Sequence, residues 1–267
     1  MSRAKTIQDF LHSDIIDIEE LLGLALSRSK SSLYSNPNHK ISTTELASLD
    51  ILIQKRQSGE PFAYLSGSKG FYHLDFKVTT DTLIPRPETE LLIDIALDLF
   101  NPNKTIKMLD LGTGSGTIAI TLADKCADWQ VSATDQSRKA LEVAKSNAKS
   151  ITNSIEFSHG NWFEAVPNQL FDLLVSNPPY VEDSDPHLAD LQFEPIDALI
   201  SGVDGLDDIR EIVTEAPKYL NSGGYLLLEH GYNQQKEIMR LMRPSFIDVR
   251  GFQDNNGVDR AVLGRIK

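Results

Sequence analysis

The chain has 267 residues, with 26 lysines and arginines against 38 aspartates and glutamates, so its formal net charge at pH 7 is −12. A field of that sign repels a phosphate backbone and argues against a protein whose main partner is DNA or RNA. Its single cysteine, Cys126, excludes an intramolecular disulfide and fits a reducing cytoplasm. We therefore expect a cytoplasmic globular protein of one large or two modest domains.

Signals for membranes, export and metals are missing from this sequence. No apolar stretch approaches the length of about 18 residues that a membrane-spanning helix needs, and residues 1–9 lack the apolar core of a signal peptide. The six histidines are scattered, without a histidine or cysteine pair at ligand spacing, so we predict no bound metal. Nothing argues against a monomer, which is the state we expect.

The first part of the chain has the periodicity of helices. Residues 15–22 place apolar side chains three or four positions apart, and a similar pattern follows Thr43 and Thr44. Either threonine, with an acid shortly after it, is an N-cap signal. Residues 36–38 (Asn-Pro-Asn) predict a loop between helices. We expect a small helical domain over residues 1–70.

Beyond the helices the pattern changes to strands. Residues 71–84 alternate in polarity, which predicts a β-hairpin linker over residues 71–85. From Pro87 onward a helical pattern gives way to alternating apolar strands and helices, which is typical of a parallel, doubly wound α/β sheet. We expect residues 86–267 to form one catalytic domain of this class.

A glycine-rich turn follows the first of these strands. Residues 107–111 read as a strand and residues 117–122 as a helix, joined by a tight turn of Gly112, Thr113, Gly114, Ser115 and Gly116. Glycine lets the backbone come close to a ligand. The dinucleotide fingerprint fails because Thr117 stands where its third glycine belongs, and a phosphate-binding P-loop fails for want of its lysine.

Two acids flank this turn. Residues 129–134 read as a second strand that ends in Asp135, and an acid there can accept hydrogen bonds from both ribose hydroxyls of a nucleoside. The other use of Asp135 is as a helix N-cap ahead of Ser137. Asp110, just before the glycines, would face a cationic or amino-bearing ligand. A nucleoside with a positive centre and no phosphate is S-adenosyl-L-methionine, the cofactor we predict.

The tetrapeptide Asn177-Pro178-Pro179-Tyr180 is the most informative stretch of the chain. It follows the apolar strand 171–176, so it lies at the C-terminal edge of the sheet, where α/β proteins bind ligands. Proline has a fixed φ and no N–H, which leaves neighbouring carbonyls free to face a ligand. The Asn177 side-chain oxygen, a proline carbonyl and the flat face of Tyr180 together suit a planar –NH2 group.

The glycine turn and the tetrapeptide resemble class I S-adenosylmethionine-dependent methyltransferases that modify planar nitrogens. Further stretches narrow the resemblance, which runs from about residue 15 to the C-terminus: residues 59–67, 84–90, 160–163, 185–188, 193–195 and 226–231. Together they look like the PrmC/HemK family, the protein-(glutamine-N5) methyltransferases of peptide chain release factors.

This resemblance implies a fold and a reaction. The fold is a Rossmann-like, mostly parallel seven-stranded sheet, with a final antiparallel hairpin that residues 246–252 and 260–263 could supply. The reaction transfers a methyl group from S-adenosyl-L-methionine to the side-chain nitrogen of the glutamine in the Gly-Gly-Gln motif of class I release factors, which modulates translation termination. The helical domain would dock the substrate, with no direct nucleic-acid partner and no membrane partner.

The resemblance also implies roles for single residues. The Asn177 oxygen and the Pro178 carbonyl would accept the two N–H bonds of the substrate amide, while Pro179 fixes the loop and Tyr180 packs on the amide plane. The catalytic residues would then be Asn177, Pro178 and Tyr180. The cofactor would contact the backbone of residues 112–116, Asp135, Asn177 and Trp162.

Two alternatives stay open at this point. Trp162, expected beside the adenine, could instead be a core aromatic residue, and Asn161 before it stands where the family usually has an acid. An adenine-N6 methyltransferase acting on DNA or RNA is the other possible function, because such enzymes use similar loops. That function predicts a basic groove or a target-recognition segment, and the sequence shows neither.

Overall fold

The structure, a computed structural model, describes residues 5–152 and 155–267. The chain divides into two compact units, Met1–Gly67 and Ser68–Lys267, so the division falls three residues before the predicted boundary at residue 70. The first unit is helical and the second is built on a seven-stranded sheet. In the described residues no helix has both the length and the apolar character needed to cross a bilayer.

The first unit is a cluster of short helices around one apolar core. The helices are α1 (Ile7–Leu11), α2 (Ile18–Leu26), α3 (Lys30–Ser35), α4 (Thr43–Gln57) and α5 (Phe62–Ser66). Leu21, Leu22 and Leu49 are among the side chains that form the core. The loop predicted at residues 36–38 is confirmed, since it separates α3 from α4.

The N-cap of α4 is Ser42, so the prediction of Thr43 or Thr44 is wrong by one or two residues. The Ser42 hydroxyl accepts from the Glu45 backbone N–H at 3.3 Å, and the Glu45 carboxylate accepts from the Ser42 N–H at 2.8 Å. An N-cap needs extended dihedral angles, which Ser42 has (φ −68°, ψ 163°), whereas both threonines are already helical.

The hairpin of the second unit is shorter than predicted and begins earlier. It comprises β1 (Ser68–Phe71) and β2 (Leu74–Lys77), not residues 71–85. The alternation of polarity runs straight across the turn at Tyr72-His73, where Tyr72 has a φ of 56°, so the pattern alone does not show where the chain reverses. Residues 78–86 continue as turns and irregular structure.

The main sheet has the predicted class. Its strands are β3 (Lys107–Leu111), β4 (Gln130–Asp135), β5 (Ile155–His159), β6 (Phe171–Ser176), β7 (Leu220–Glu229), β8 (Phe246–Gln253) and β9 (Asp259–Ile266). Their order is β5-β4-β3-β6-β7-β9-β8. The pairs from β5 to β7 are parallel, and β9 runs antiparallel to both β7 and β8. The mostly parallel fold and its final antiparallel hairpin are therefore confirmed.

Helices cover both faces of this sheet. They are α6 (Glu90–Leu99), α7 (Thr117–Lys125), α8 (Arg138–Ile151), α9 (Asp207–Glu215) and α10 (Gln235–Met242). Successive strand residues contribute to different apolar clusters: Met108 packs with residues of α6 and α7, and Leu109 packs with residues of α9 and α10. That alternation buries the sheet on both sides, as a doubly wound fold requires.

Asn147 on α8 connects the hairpin to the glycine turn. Its side chain is only 3% exposed. Its Oδ1 accepts from the Lys77 backbone N–H at 2.8 Å, and its Nδ2 donates to the carbonyls of Lys77 at 3.0 Å and Ser115 at 2.9 Å. Buried polar groups need partners, and this one side chain satisfies three backbone groups.

Replacing Asn147 by leucine should lower the free energy of unfolding by about 2–4 kcal/mol, because three backbone groups lose their partner. Urea unfolding followed by circular dichroism measures the change. Lys145→Ala is the matched control, since Lys145 is exposed on the same helix, and it should change the free energy by less than about 0.5 kcal/mol. An Asn147→Leu effect as small as the control would contradict this role.

Candidate active site

The carboxyl ends of β3, β4 and β6 open into a cleft of about 380 Å³. This volume falls in the range of about 300–1,000 Å³ that is usual for small-molecule sites. Predicted site residues that line the cleft are Gly112, Thr113, Gly114, Ser115, Asp135, Trp162, Asn177 and Pro179. Other lining residues include Arg86, Thr89, Ser137 and Asn161. The sheet edge therefore brings the glycine turn, the acid and the tetrapeptide together, as expected for parallel strands.

The glycines of the turn have different surroundings. At Gly114 (φ +57°) a Cβ would meet no described atom within 4 Å, so the backbone there is open to a ligand. At Gly112 a Cβ would come within 3.1 Å of the Trp162 ring. At Gly116 (φ +89°) a Cβ would lie 2.6 Å from Ile120 and 3.3 Å from the Ala144 Cβ. The positive φ favours glycine at position 116, and its surroundings leave little room for a side chain. Gly116 is not among the described residues that line the cleft.

Asp135 holds the glycine turn in place. One carboxylate oxygen accepts from the Gly114 N–H and the other from the Ser137 N–H, both at 2.8 Å. Burial raises the pKa of Asp135, and these two hydrogen bonds oppose the rise. The N-cap of α8 is Ser137, whose hydroxyl accepts from the Ala140 N–H at 3.2 Å, so the alternative role of Asp135 as that cap is wrong. Each carboxylate oxygen keeps capacity to accept from a ligand hydroxyl.

Asp110 lies beneath the turn and is 1% exposed, rather than on the surface of the cleft as expected. Its Oδ2 accepts from the Thr113 hydroxyl at 2.6 Å and from the Ala119 N–H at 3.2 Å. Its Oδ1 is buried and has no hydrogen-bond donor in the described part of the chain. Burial raises the pKa of this carboxyl group from the usual 3.8 to about 7, against the lowering effect of Thr113.

Trp162 lies at the boundary between the cleft and the apolar core. Its side chain is 7% exposed, lines the cleft and also belongs to the apolar cluster that contains Leu109. Its φ of 39° is uncommon for a bulky residue and costs about 1–3 kcal/mol, so the surrounding structure must hold it there. The neighbouring Asn161 donates from its Nδ2 to Glu211 at 3.3 Å, which leaves the Asn161 oxygen as an acceptor.

The tetrapeptide places its residues at different depths. Asn177 and Pro179 line the cleft, Pro178 is buried, and Tyr180 is half-buried. The Asn177 Nδ2 donates to the Thr89 hydroxyl at 3.1 Å, so its side-chain oxygen is the group that can accept from a ligand. The Tyr180 hydroxyl donates to Glu229 at 3.3 Å, and burial raises the Tyr180 pKa well above its usual range.

Two residues that support the site, Ser176 and Gln234, were not predicted from the sequence. The Ser176 hydroxyl donates to the Leu111 carbonyl at 2.7 Å and joins the ends of β6 and β3. The buried Gln234 donates to the Tyr180 carbonyl at 3.0 Å. Ser176 directly precedes the tetrapeptide and could have been noticed, whereas Gln234 is 54 residues from Tyr180 and carries no local signal.

An ion pair fixes the loop that follows the tetrapeptide. Glu194 is 8% exposed and pairs with the Arg86 guanidinium. Its second oxygen accepts from the Ile84 N–H at 2.9 Å. Pro195 and Asp197 from the same loop line the cleft, as does Arg86. The pair therefore ties the loop to the segment before α6 at the rim of the cleft.

The residues of the cleft fit a nucleoside. Asp135 lines the cleft and can accept from hydroxyls, and the Gly114 backbone is open to a ligand. Across residues 5–152 and 155–267, no group of three or more histidine, cysteine, aspartate or glutamate side chains could hold a metal ion.

Two family profiles match this chain, one in each of its two units. A family profile described as "PrmC N-terminal domain" matches residues 6–67, and one described as "Methyltransferase small domain" matches residues 89–192. Two solved structures share the fold. A methyltransferase from Pyrococcus furiosus has a TM-score of 0.57 at 20% identity and covers 80% of this chain and 98% of its own. A Thermus thermophilus 16S rRNA N2 G1207 methyltransferase, in complex with AdoMet and guanosine, has a TM-score of 0.57 at 16% identity. The match covers 75% of this chain and 50% of that methyltransferase.

Curated relatives match over nearly the whole chain. The release factor glutamine methyltransferase of Coxiella burnetii is 40% identical over 252 residues, which is 94% of this chain and 91% of the relative. Those of Xylella fastidiosa and Vibrio cholerae are 42% and 41% identical, over 94% and 96% of this chain and 92% and 91% of their own lengths. Identity of at least 40% over at least 91% of both chains shows that this chain and these relatives belong to one family.

Because the pKa of Asp110 is raised, the free energy of unfolding should fall as the pH rises. A carboxyl group with a raised pKa binds its proton more tightly in the folded state, so its stabilising effect is complete below about pH 4 and is lost up to about pH 7. Asp110→Asn can keep the oxygen that accepts from Thr113 and Ala119 while removing this titration. At pH 7.5 we expect the variant to be more stable than the parent by about 1–3 kcal/mol.

The measurement is urea unfolding between about pH 4 and pH 8 without added cofactor. The parent curve should fall more steeply than that of Asp110→Asn across this range. Two parallel curves would contradict a raised Asp110 pKa.

Proposed function

The chain belongs to the release factor glutamine methyltransferase family, and from this premise we propose that it methylates the glutamine of the Gly-Gly-Gln motif in class I peptide chain release factors. The membership makes it an S-adenosylmethionine-dependent protein-glutamine methyltransferase, which confirms the predicted class of enzyme. The observation that favours an amide substrate is the hydrogen bonding of the Asn177 side chain. Its NH2 group is occupied by Thr89, which leaves an oxygen acceptor at the cleft.

The methyl donor is S-adenosyl-L-methionine, as predicted. When bound, it supplies an electrophilic methyl group on a sulfonium centre. We propose that Asp135 accepts from its ribose hydroxyls, that the backbone of residues 112–116 passes beneath it, and that Trp162 lies beside its adenine. Support comes from the free acceptor capacity of Asp135 and from the open backbone at Gly114.

The substrate amide would be held by the tetrapeptide. An amide nitrogen is a poor nucleophile because its lone pair is delocalised into the carbonyl, so orientation and local electrostatics must do most of the work. The Asn177 oxygen and the Pro178 carbonyl would accept its two N–H bonds, with Pro179 fixing the loop and Tyr180 packing on the amide. After transfer the nitrogen loses a proton to water, so no dedicated base is required.

The helical unit Met1–Gly67 would dock the release factor, and the enzyme would act as a cytoplasmic monomer without a nucleic-acid partner. The net charge of −12 supports a basic protein surface as the partner. The relatives named above give no support to the alternative, an adenine-N6 methyltransferase.

The direct test is to incubate the purified chain with methyl-labelled S-adenosylmethionine and three acceptors: a release factor with Gly-Gly-Gln, the same factor with Gln→Ala, and duplex DNA. We expect label on the intact factor alone, mapped by mass spectrometry to the glutamine side chain. Label on DNA would contradict the proposal and favour the adenine-N6 alternative.

Two substitutions should separate substrate binding from cofactor binding. Asn177→Ala should slow methyl transfer by about 100-fold or more while the Kd for the cofactor stays within about threefold. Asp135→Ala should weaken cofactor binding by about 10- to 100-fold, because the ribose loses charged acceptors. Asn255→Ala, on an exposed turn, is the control. Normal turnover by Asn177→Ala would remove Asn177 from the catalytic residues.

Salt should weaken the encounter with the release factor. An acidic enzyme attracted to a basic patch gains association rate from long-range fields, which salt screens over about 8–10 Å at physiological ionic strength. We expect the KM for the release factor to rise between about 50 and 500 mM NaCl while the Kd for the cofactor changes little. A KM indifferent to salt would contradict electrostatic docking.

A further inference from the structure

The buried side chain of Gln234 joins three backbone segments next to the end of the tetrapeptide. It is 6% exposed. Its Nε2 donates to the carbonyls of Tyr180 at 3.0 Å, Asp204 at 3.3 Å and Gly205 at 3.2 Å. Its Oε1 accepts from the Gly231 N–H at 2.9 Å. One amide therefore links the tetrapeptide, the loop before α9 and the segment after β7.

The partners of Gln234 leave its amide a single orientation. A backbone carbonyl can only accept, so the NH2 group must be the end that faces Tyr180, Asp204 and Gly205. The Gly231 N–H can only donate, so the oxygen must be the end that faces Gly231. A rotated amide would set its oxygen against carbonyl oxygens and its NH2 against an N–H. Gln234 is thus a fixed donor toward the Tyr180 carbonyl.

The three segments are packed too closely for the Tyr180 carbonyl to move freely. Gly205 has a φ of +69°, and a Cβ there would overlap the Tyr180 carbonyl oxygen and lie 2.7 Å from the Gln234 Nε2. At Gly231 a Cβ would lie 3.0 Å from the Gln234 Oε1 and 3.6 Å from the Tyr180 ring. The positive φ and the close approach both favour glycine at position 205.

These contacts hold the tetrapeptide at its second end. The Ser176 hydroxyl already joins the first end to β3 at 2.7 Å. Between the two ends lie Pro178 and Pro179, which have a fixed φ and no N–H with which to form an anchor of their own. A stiff segment of this kind transmits a shift at Tyr180 to its neighbours. The direction of the Pro178 carbonyl therefore depends on where Gln234 holds the Tyr180 carbonyl.

We propose that Gln234 is a positioning residue for methyl transfer: by holding the Tyr180 carbonyl, it keeps the Pro178 carbonyl and the Asn177 oxygen directed at the substrate amide. This inference rests on the proposed function, because it takes those two acceptors as the groups that bind the glutamine. A positioning role predicts a loss in kcat. A role in cofactor binding predicts a higher Kd for the cofactor, and a role in stability alone predicts a lower melting temperature with normal kcat.

The test replaces Gln234 by methionine, which has nearly the same length and no amide, and measures methyl transfer to a release factor well below the melting temperature. We expect kcat to fall by about 10- to 100-fold while the Kd for S-adenosylmethionine stays within about threefold, because the acceptors are misaligned and the cofactor site is intact. Gln234→Asn shortens the same side chain by one methylene group and keeps an amide. Its kcat should fall in the same direction.

Two control variants separate positioning from stability. Gln235→Met changes the neighbouring glutamine, whose side-chain oxygen is buried without a hydrogen-bond donor in the described part of the chain. Ile93→Val shortens a fully buried side chain of α6 and should lower the melting temperature. Both controls should keep kcat within about twofold of the parent, because neither side chain anchors the tetrapeptide.

A folded Gln234→Met enzyme with kcat within about twofold of the parent would overturn the role of Gln234. An equal loss of kcat in Ile93→Val would overturn it too, since destabilisation would then explain the effect. A Kd for the cofactor that rises as much as kcat falls would assign Gln234 to the cofactor site instead. Should Gln234→Met fail to fold, Gln234→Asn decides by the same criteria. If the parent chain labels no release factor, the proposed function itself fails, and that outcome is visible before any variant is measured.

Discussion

The parallel pairing of β3 with β6 is the constraint on which the whole site depends. In that register Leu111 lies opposite Ser176, so the glycine turn and the tetrapeptide leave the sheet at the same level. The hydrogen bond from the Ser176 hydroxyl to the Leu111 carbonyl joins the two strand ends at 2.7 Å. A slip of this register would move the proposed cofactor site away from the proposed amide site. The proximity that methyl transfer needs is thus a property of the sheet.

Buried acids anchor the loops around this edge. Asp110 binds the glycine turn and the start of α7, and Asp135 binds the turn again through Gly114. Glu229 accepts from the Tyr180 hydroxyl at the end of the tetrapeptide. Burial of these carboxylates is unfavourable, as the raised pKa values of Asp110 and Glu229 show. Each of these carboxylates accepts hydrogen bonds from loop groups, which offset part of the unfavourable burial and fix the geometry of the loops.

Local patterns predicted the fold well, but single-residue choices and long-range contacts escaped them. The bounds of β3 and β6 match the predicted runs because apolar strands between polar loops are strong local signals. The hairpin differs from its predicted range because a single turn fixes where the chain reverses. The N-cap of α4 differs from the predicted one because a shift of one residue changes its identity. Thr89 lies 88 residues from Asn177, so only the folded chain shows that they meet. The roles of the site residues, from Gly112 to Tyr180, remain predictions that the geometry supports.

The most direct test of this account is a structure of the enzyme with S-adenosylhomocysteine and a release factor that carries the Gly-Gly-Gln motif. The account predicts that the glutamine side-chain nitrogen lies about 3 Å from both the Asn177 oxygen and the Pro178 carbonyl, with the Asn177 NH2 still bound to Thr89. A glutamine bound elsewhere, or an Asn177 oxygen turned toward Thr89, would contradict it.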